Sequence, residues 1–192
     1  VENTTGTENT AVGSGSLRTN TTGNYNTAVG YECLRLATTA DNNTAMGHYA
    51  LGAITTGYRN IAIGATAGDA ITTGLANTTM GFESLTTLTT GSNNVAIGEQ
   101  ALAACTTGGN NTAVGRKALK AVTTGGNNDA FGLECADNLT TGSSNTFVGN
   151  GITTSSASTS NANGFGLNLT CADNFTTIGQ GSADIRAEHG VA

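Results

Sequence analysis

The chain has 192 residues with 7 basic and 13 acidic side chains, a formal net charge of −6, and only 10 % charged residues. An acidic chain with no basic patch is not built to neutralise phosphates, which excludes nucleic acid as a partner. No apolar run approaches the roughly 20 residues that a membrane-spanning helix needs.

The 28 Gly, the absence of Pro and Trp, and the excess of Thr and Asn suggest low complexity, but a disordered segment keeps no register, and this chain does. It opens with Thr4-Thr5-Gly6, the tail of a repeat whose head is missing, so the expectation is a fragment that says nothing of its original targeting. From Asn9 onward a five-residue motif returns every 17 residues. It reads Asn26-Thr27-Ala28-Val29-Gly30, then begins again at Asn43, Asn60, Asn77, Asn94, Asn111, Asn128 and Asn145 without an insertion. A second marker, Thr21-Thr22-Gly23, returns in step as far as Thr140-Thr141-Gly142, with Ala40 the one replacement for its Gly. A fixed short period marks a stacked-repeat protein.

With the Asn as position 1, position 4 is always apolar and position 3 is Ala in seven of nine repeats. A few extended, partly β-branched residues ended by Gly predict a short strand. One strand per period, always in the same chain direction, predicts a parallel sheet along the stack, with Asn26, Asn43, Asn60, Asn77, Asn94 and Asn111 as an amide ladder. Gly30, Gly47, Gly64, Gly81, Gly98 and Gly115 end the strands.

Positions 5, 8, 9 and 12 carry Gly, then Ser, Cys or Ala, then mostly Leu (Leu17, Leu34, Leu51, Leu85, Leu102, Leu119), then a mostly apolar residue. That spacing is the stripe of an amphipathic helix, and Glu32, Glu83 and Glu134 at position 7 suit a helix's first turn. The pattern predicts a helix of one to two turns, stopped by Thr-Thr-Gly. Strands stack at about 4.8 Å whereas helix axes need about 8–10 Å. Three resolutions stay open: a curved or twisted stack with helices outside, strands of other chains interleaved, or a "helix" that is only a tight turn.

The fold expected is therefore a β-rich repeat solenoid of about ten stacked 17-residue periods, each with a parallel strand, a short helical turn and a Thr-Thr-Gly turn, in an elongated fibre. Each period offers only about three large apolar side chains, a thin core for one chain. The small, flat, repeated face of Ala28, Ala45, Ala62, Ala96 and Ala113 is accordingly expected to meet symmetry mates in a parallel homotrimer; the alternative is that these Ala line the solenoid interior. Residues 1–149 form the regular repeats, 150–179 degenerate ones, and 180–192 a cap or the start of another domain. In the degenerate part Phe165-Gly166 keeps its place, Cys171 is expected at position 8, and Thr176-Thr177-Ile178-Gly179 reads as either a turn marker or a new strand.

The pattern Asn-Thr-Ala-Ile/Val-Gly-x-x-Ala-Leu-x-x-x-Thr-Thr-Gly resembles the repeats of phage tail-fibre-type proteins, of the kind that precede a self-cleaving intramolecular chaperone of the S74 peptidase type. The likeness covers residues 3–149. Residues 177–192 resemble the segment ahead of such a chaperone, which is itself absent. The strand motif is more distantly similar to the heads of trimeric autotransporter adhesins, whose repeats are shorter and lack the Ala-Leu and Thr-Thr-Gly parts. The resemblance implies a homotrimeric fibre on an extracellular or virion surface, a host cell-surface glycan or protein as partner, and no catalytic residue.

The residues themselves offer no chemistry. Glu32, Glu83 and Glu134 lie three periods apart, too far for a glycosidase pair. His48 and His189 lack the companions of a zinc site or a catalytic triad, and no phosphate-binding Gly-Lys-Ser/Thr occurs. Neither an enzyme nor a cofactor is expected. Cys33, Cys105, Cys135 and Cys171 lie two or more periods apart, beyond disulfide reach, and read as buried thiols. Two functions remain: a structural shaft or receptor-binding segment of a fibrous adhesive appendage, or a module that binds a periodic surface such as ice or a polysaccharide through its Thr rows at positions 13 and 14.

Overall fold

The computed structural model describes residues 2–190; Val1, Val191 and Ala192, which fall in the first and last predicted segments, lie outside the described residues. Three residues of each period are extended. They form β1 (Thr10–Val12), β2 (Thr27–Val29), β3 (Thr44–Met46), β4 (Ile61–Ile63), β5 (Thr78–Met80), β6 (Val95–Ile97), β7 (Thr112–Val114) and β8 (Asp129–Phe131). The sheet continues through β9 (Thr146–Asn150), β11 (Asn163–Leu167), β13 (Phe175–Gln180) and β14 (Ala183–Glu188), while β10 (Thr153–Thr154) and β12 (Thr170–Cys171) form a separate parallel pair. The molecule is a β-solenoid of about ten coils whose strands pair in chain order.

Register is uniform. Ala28 pairs with Ala45, Ala45 with Ala62, and Ala96 with Ala113, so equivalent side chains form rows along the stack. All these contacts are parallel except β13 with β14, which is antiparallel. The last coil is shortened: Asn163 pairs with Thr176, only 13 residues on (176 − 163). Thr176-Thr177-Ile178-Gly179 is thus a strand, not a turn marker. β14 places Asp184, Arg186 and Glu188 on the final edge, and such charges discourage further strand pairing.

The predicted helix is not present: among the described residues there is no helix. Positions 6–12 are tight turns instead. Residues 7 and 9 are left-handed, as at Glu32 (φ 52°), Leu34 (φ 49°), Gln100 (φ 58°) and Leu102 (φ 51°). Their N–H groups donate to neighbouring coils, not back along the chain: Leu102 N–H to Ala118 O at 3.1 Å and Gln100 N–H to Phe82 O at 3.0 Å. A left-handed residue reverses the side-chain direction, so adjacent positions 8 and 9 both point inward, and 12 follows. The inward set is the one a helical stripe would give, reached by a different backbone. A tight turn also fits the strand spacing, which removes the clash between about 4.8 Å and the wider helix separation.

Candidate interaction surfaces

The Asn of position 1 points inward and is buried in each coil from Asn26 to Asn145. Asn60 shows the pattern. Its backbone N–H and Nδ2 both donate to Asn43 Oδ1, at 2.9 and 3.1 Å, and Nδ2 also donates to Gly74 O at 2.9 Å across the same coil. The same three bonds recur at Asn43, Asn77, Asn94 and Asn111. Burying an amide is costly unless it is bonded; here each Asn ties the start of the strand both to the coil before it and to the Gly turn at the end of its own coil. The ladder ends at Ala162, whose N–H donates to Asn145 Oδ1 at 2.9 Å.

Gly30, Gly47, Gly64, Gly81, Gly98 and Gly115 sit at the strand exits with φ between 128° and 137°. At Gly98 a Cβ would lie 2.6 Å from the Gly115 carbonyl, so both conformation and space call for glycine.

Ala28, Ala45, Ala62, Ala96 and Ala113 do not form an oligomer face. Each is fully buried inside the single chain, packed with the Leu of position 9 and the apolar residues of position 12. The reason is alternation: in a strand, positions 1 and 3 share a face, and the Asn ladder fixes that face inward.

The outward face therefore carries positions 2 and 4. Position 2 is mostly Thr. Position 4 is Val12, Val29, Met46, Ile63, Met80, Ile97, Val114, Phe131, Val148, Phe165 and Ile178, none of them buried. The exposed fraction is 56 % at Val12, 42 % at Phe131 and 51 % at Ile178. The sequence signal for this row was present in its unbroken apolar character, but such a row reads more readily as core.

The two Thr rows differ. At position 13 the hydroxyl is tied into the stack: Thr38 Oγ1 donates to Thr55 O and Thr55 Oγ1 to Thr72 O, both at 3.2 Å. At position 14, Thr22, Thr39, Thr56, Thr73, Thr90, Thr107 and Thr124 are exposed.

One patch departs from the repeat. Tyr31 stacks on His48 with ring centroids 5.5 Å apart, and Tyr49 meets His48 edge-on at 4.5 Å. Arg35 lies over Tyr49 at 5.7 Å and 3.5 Å from Glu32. His189 Nε2 lies 2.7 Å from Thr176 Oγ1, close to the final strand pair. Neither histidine joins a group of metal-ligating side chains, and among the described residues there is no such group and no ligand-sized cavity.

All four cysteines are buried and unpaired. Burial pushes the Cys105 thiol up to about 11 and the Cys135 thiol to about 12, and raises Cys33 and Cys171 as well. Cys171 pairs in register with Thr154, which corresponds to position 10, not 8. The deleted residues of the last coil shift it.

Comparison with known proteins finds no family model, curated protein or solved structure that matches the chain.

Proposed function

We propose that the chain is a structural shaft and receptor-binding segment of a fibrous adhesive appendage, a phage tail fibre or similar surface adhesin, acting outside the cell or on the virion without enzymatic chemistry. The observation that supports this best is the one-dimensional build. Every coil pairs with its immediate neighbours in chain order, in unbroken register, and the regular features repeat along an axis without converging on a point. Such a design sets length and presents rows. The resemblance of the repeat wording to tail-fibre proteins points the same way. Self-association as a homotrimer belongs to this reading, as does a host glycan or surface protein as target. The test is binding of the labelled chain to intact bacterial cells and to immobilised surface glycans: saturable binding, competed by unlabelled chain, is expected, and none across a broad panel would overturn the receptor-binding part.

A second reading is kept because one observation favours it. The exposed Thr of position 14 form a single file repeating every about 4.8 Å, which could meet ice or an ordered polysaccharide. Thermal hysteresis with ice shaping would favour it over the adhesive shaft; its absence would dismiss ice.

A further inference from the structure

We infer that the apolar ridge of position 4 is the surface on which one copy of this chain docks against another, face to face along the stack. The inference rests on the self-associating shaft reading and gives it a location. It replaces the alanine face, which is interior.

The ridge is the largest unpartnered feature of the molecule. Its eleven residues, from Val12 to Ile178, carry no charge, and each stands beside its equivalent in the next coil. The flanking position-2 row is Thr, Ile61, Val95 and Asn163, with Asp129 its one charge. Ten strand steps give a length of about 48 Å, and positions 2 to 6 a width of about 13 Å, so the flat area is roughly 600 Å² per chain. Stable interfaces bury about 600–1,000 Å² per partner. A monomer rarely leaves so long an apolar row in water, and one that does usually marks a contact surface.

The choice of a second copy follows from periodicity and shape. A partner that touches every row must share the same rise and twist over eleven strands, and this chain supplies such a partner. Two sheet faces can pack about 10 Å apart with their side chains interdigitated. A rigid crystalline surface fits less well, because Val12, Met46, Met80, Phe131 and Val148 differ in reach and make an uneven ridge. Soft side chains of unequal length instead suit a deformable apolar partner, Met above all.

The experiment uses the full chain. Ile97 is the middle row, so two fully overlapping copies bring Ile97 against Ile97 whether they run parallel or antiparallel. Sedimentation and native mass are measured for wild type, Met80→Glu and the control Thr107→Glu. Met80 is already 41 % exposed, so the charge enters without disturbing the interior, and circular dichroism verifies the fold. In parallel, Ile97→Cys and Thr107→Cys are treated with a short bis-maleimide, the native thiols being buried. Wild type is expected to self-associate, Met80→Glu to do so roughly a hundredfold more weakly, and Thr107→Glu to match wild type. Ile97→Cys should cross-link and Thr107→Cys should not. A self-associating wild type with an equally associated Met80→Glu and no Ile97→Cys cross-link would remove the ridge while leaving the shaft reading intact. A wild type that stays monomeric at high concentration would remove self-association from both.

Discussion

Thr79 and Ser84 satisfy each other inside the solenoid. Their hydroxyl oxygens lie 2.5 Å apart; Thr79 Oγ1 also donates to Ser84 O at 3.1 Å, and Ser84 Oγ lies 3.0 Å from Gly81 O. Thr79 is a position-3 residue where most coils have Ala, and Ser84 is its position-8 neighbour. Next to them Gly68 replaces the usual Leu, and a Cβ there would already lie 3.2 Å from Thr79 Cγ2. One polar replacement in the core has drawn in two compensating ones.

That relationship predicts a coupled response. Ser84→Ala leaves the Thr79 hydroxyl with fewer partners and should cost about 1–2 kcal/mol. Thr79→Ala should cost about as much, by leaving Ser84 short. The double variant recreates the Ala–Ala pair of Ala96 with Ala101, so its cost should fall below the sum of the singles by about 1 kcal/mol. Denaturant unfolding of the four proteins measures this, and strict additivity would contradict the pairing.

The Asn ladder makes a larger prediction. Asn94→Ala removes the acceptor for Asn111 N–H and Nδ2 and the donor to Gly108 O, all buried. Leaving several buried groups unpaired should cost about 3–5 kcal/mol, whereas exposed Thr107→Ala should stay within about 0.5 kcal/mol. Asn94→Asp should fare no better near neutral pH, since a carboxylate facing Asn77 Oδ1 offers no donor. Thermal unfolding distinguishes these outcomes.

Much of this was legible before any coordinates. Period, strand position and the inward Asn followed from Asn at position 1 and Gly at position 5, because strand alternation leaves little choice. The inward identity of Leu34 and Leu102 was legible too. Their backbone was not: a left-handed Leu looks like any other Leu in sequence, and 5, 8, 9, 12 happens to be a helical spacing. The strand spacing was the available clue against a helix. The face of Ala96 was misjudged because a core seemed too thin for one chain, yet Ala, Leu and a position-12 residue per coil suffice when coils stack so closely.

The thiols predict a pH dependence. Burial raises the folded pKa of Cys105 to about 11 and of Cys135 to about 12, from a model value of 9.0. A raised folded pKa means the unfolded chain loses its proton first, so stability is undiminished below about pH 9 and declines as pH rises through 11 to 12. Cys105→Ala and Cys135→Ala should each flatten part of that decline while lowering stability at neutral pH by a cavity cost of about 1–2 kcal/mol. Chemical denaturation at pH 8 and pH 10.5 tests the sign; a steeper decline in the variants would contradict it.

The central claim is that 17 residues make one self-similar coil in contact only with its neighbours. It is tested most directly by deleting residues 60–76 and, separately, deleting Ala62 alone, then comparing circular dichroism and thermal unfolding with wild type. Removing a whole coil rejoins equivalent rows, so that protein should fold cooperatively with little change in midpoint. Removing one residue turns the following side chains to the wrong face and breaks the Asn ladder, so it should be severely destabilised. A whole-coil deletion that aggregates, beside a single-residue deletion that folds normally, would contradict the stacked-coil structure.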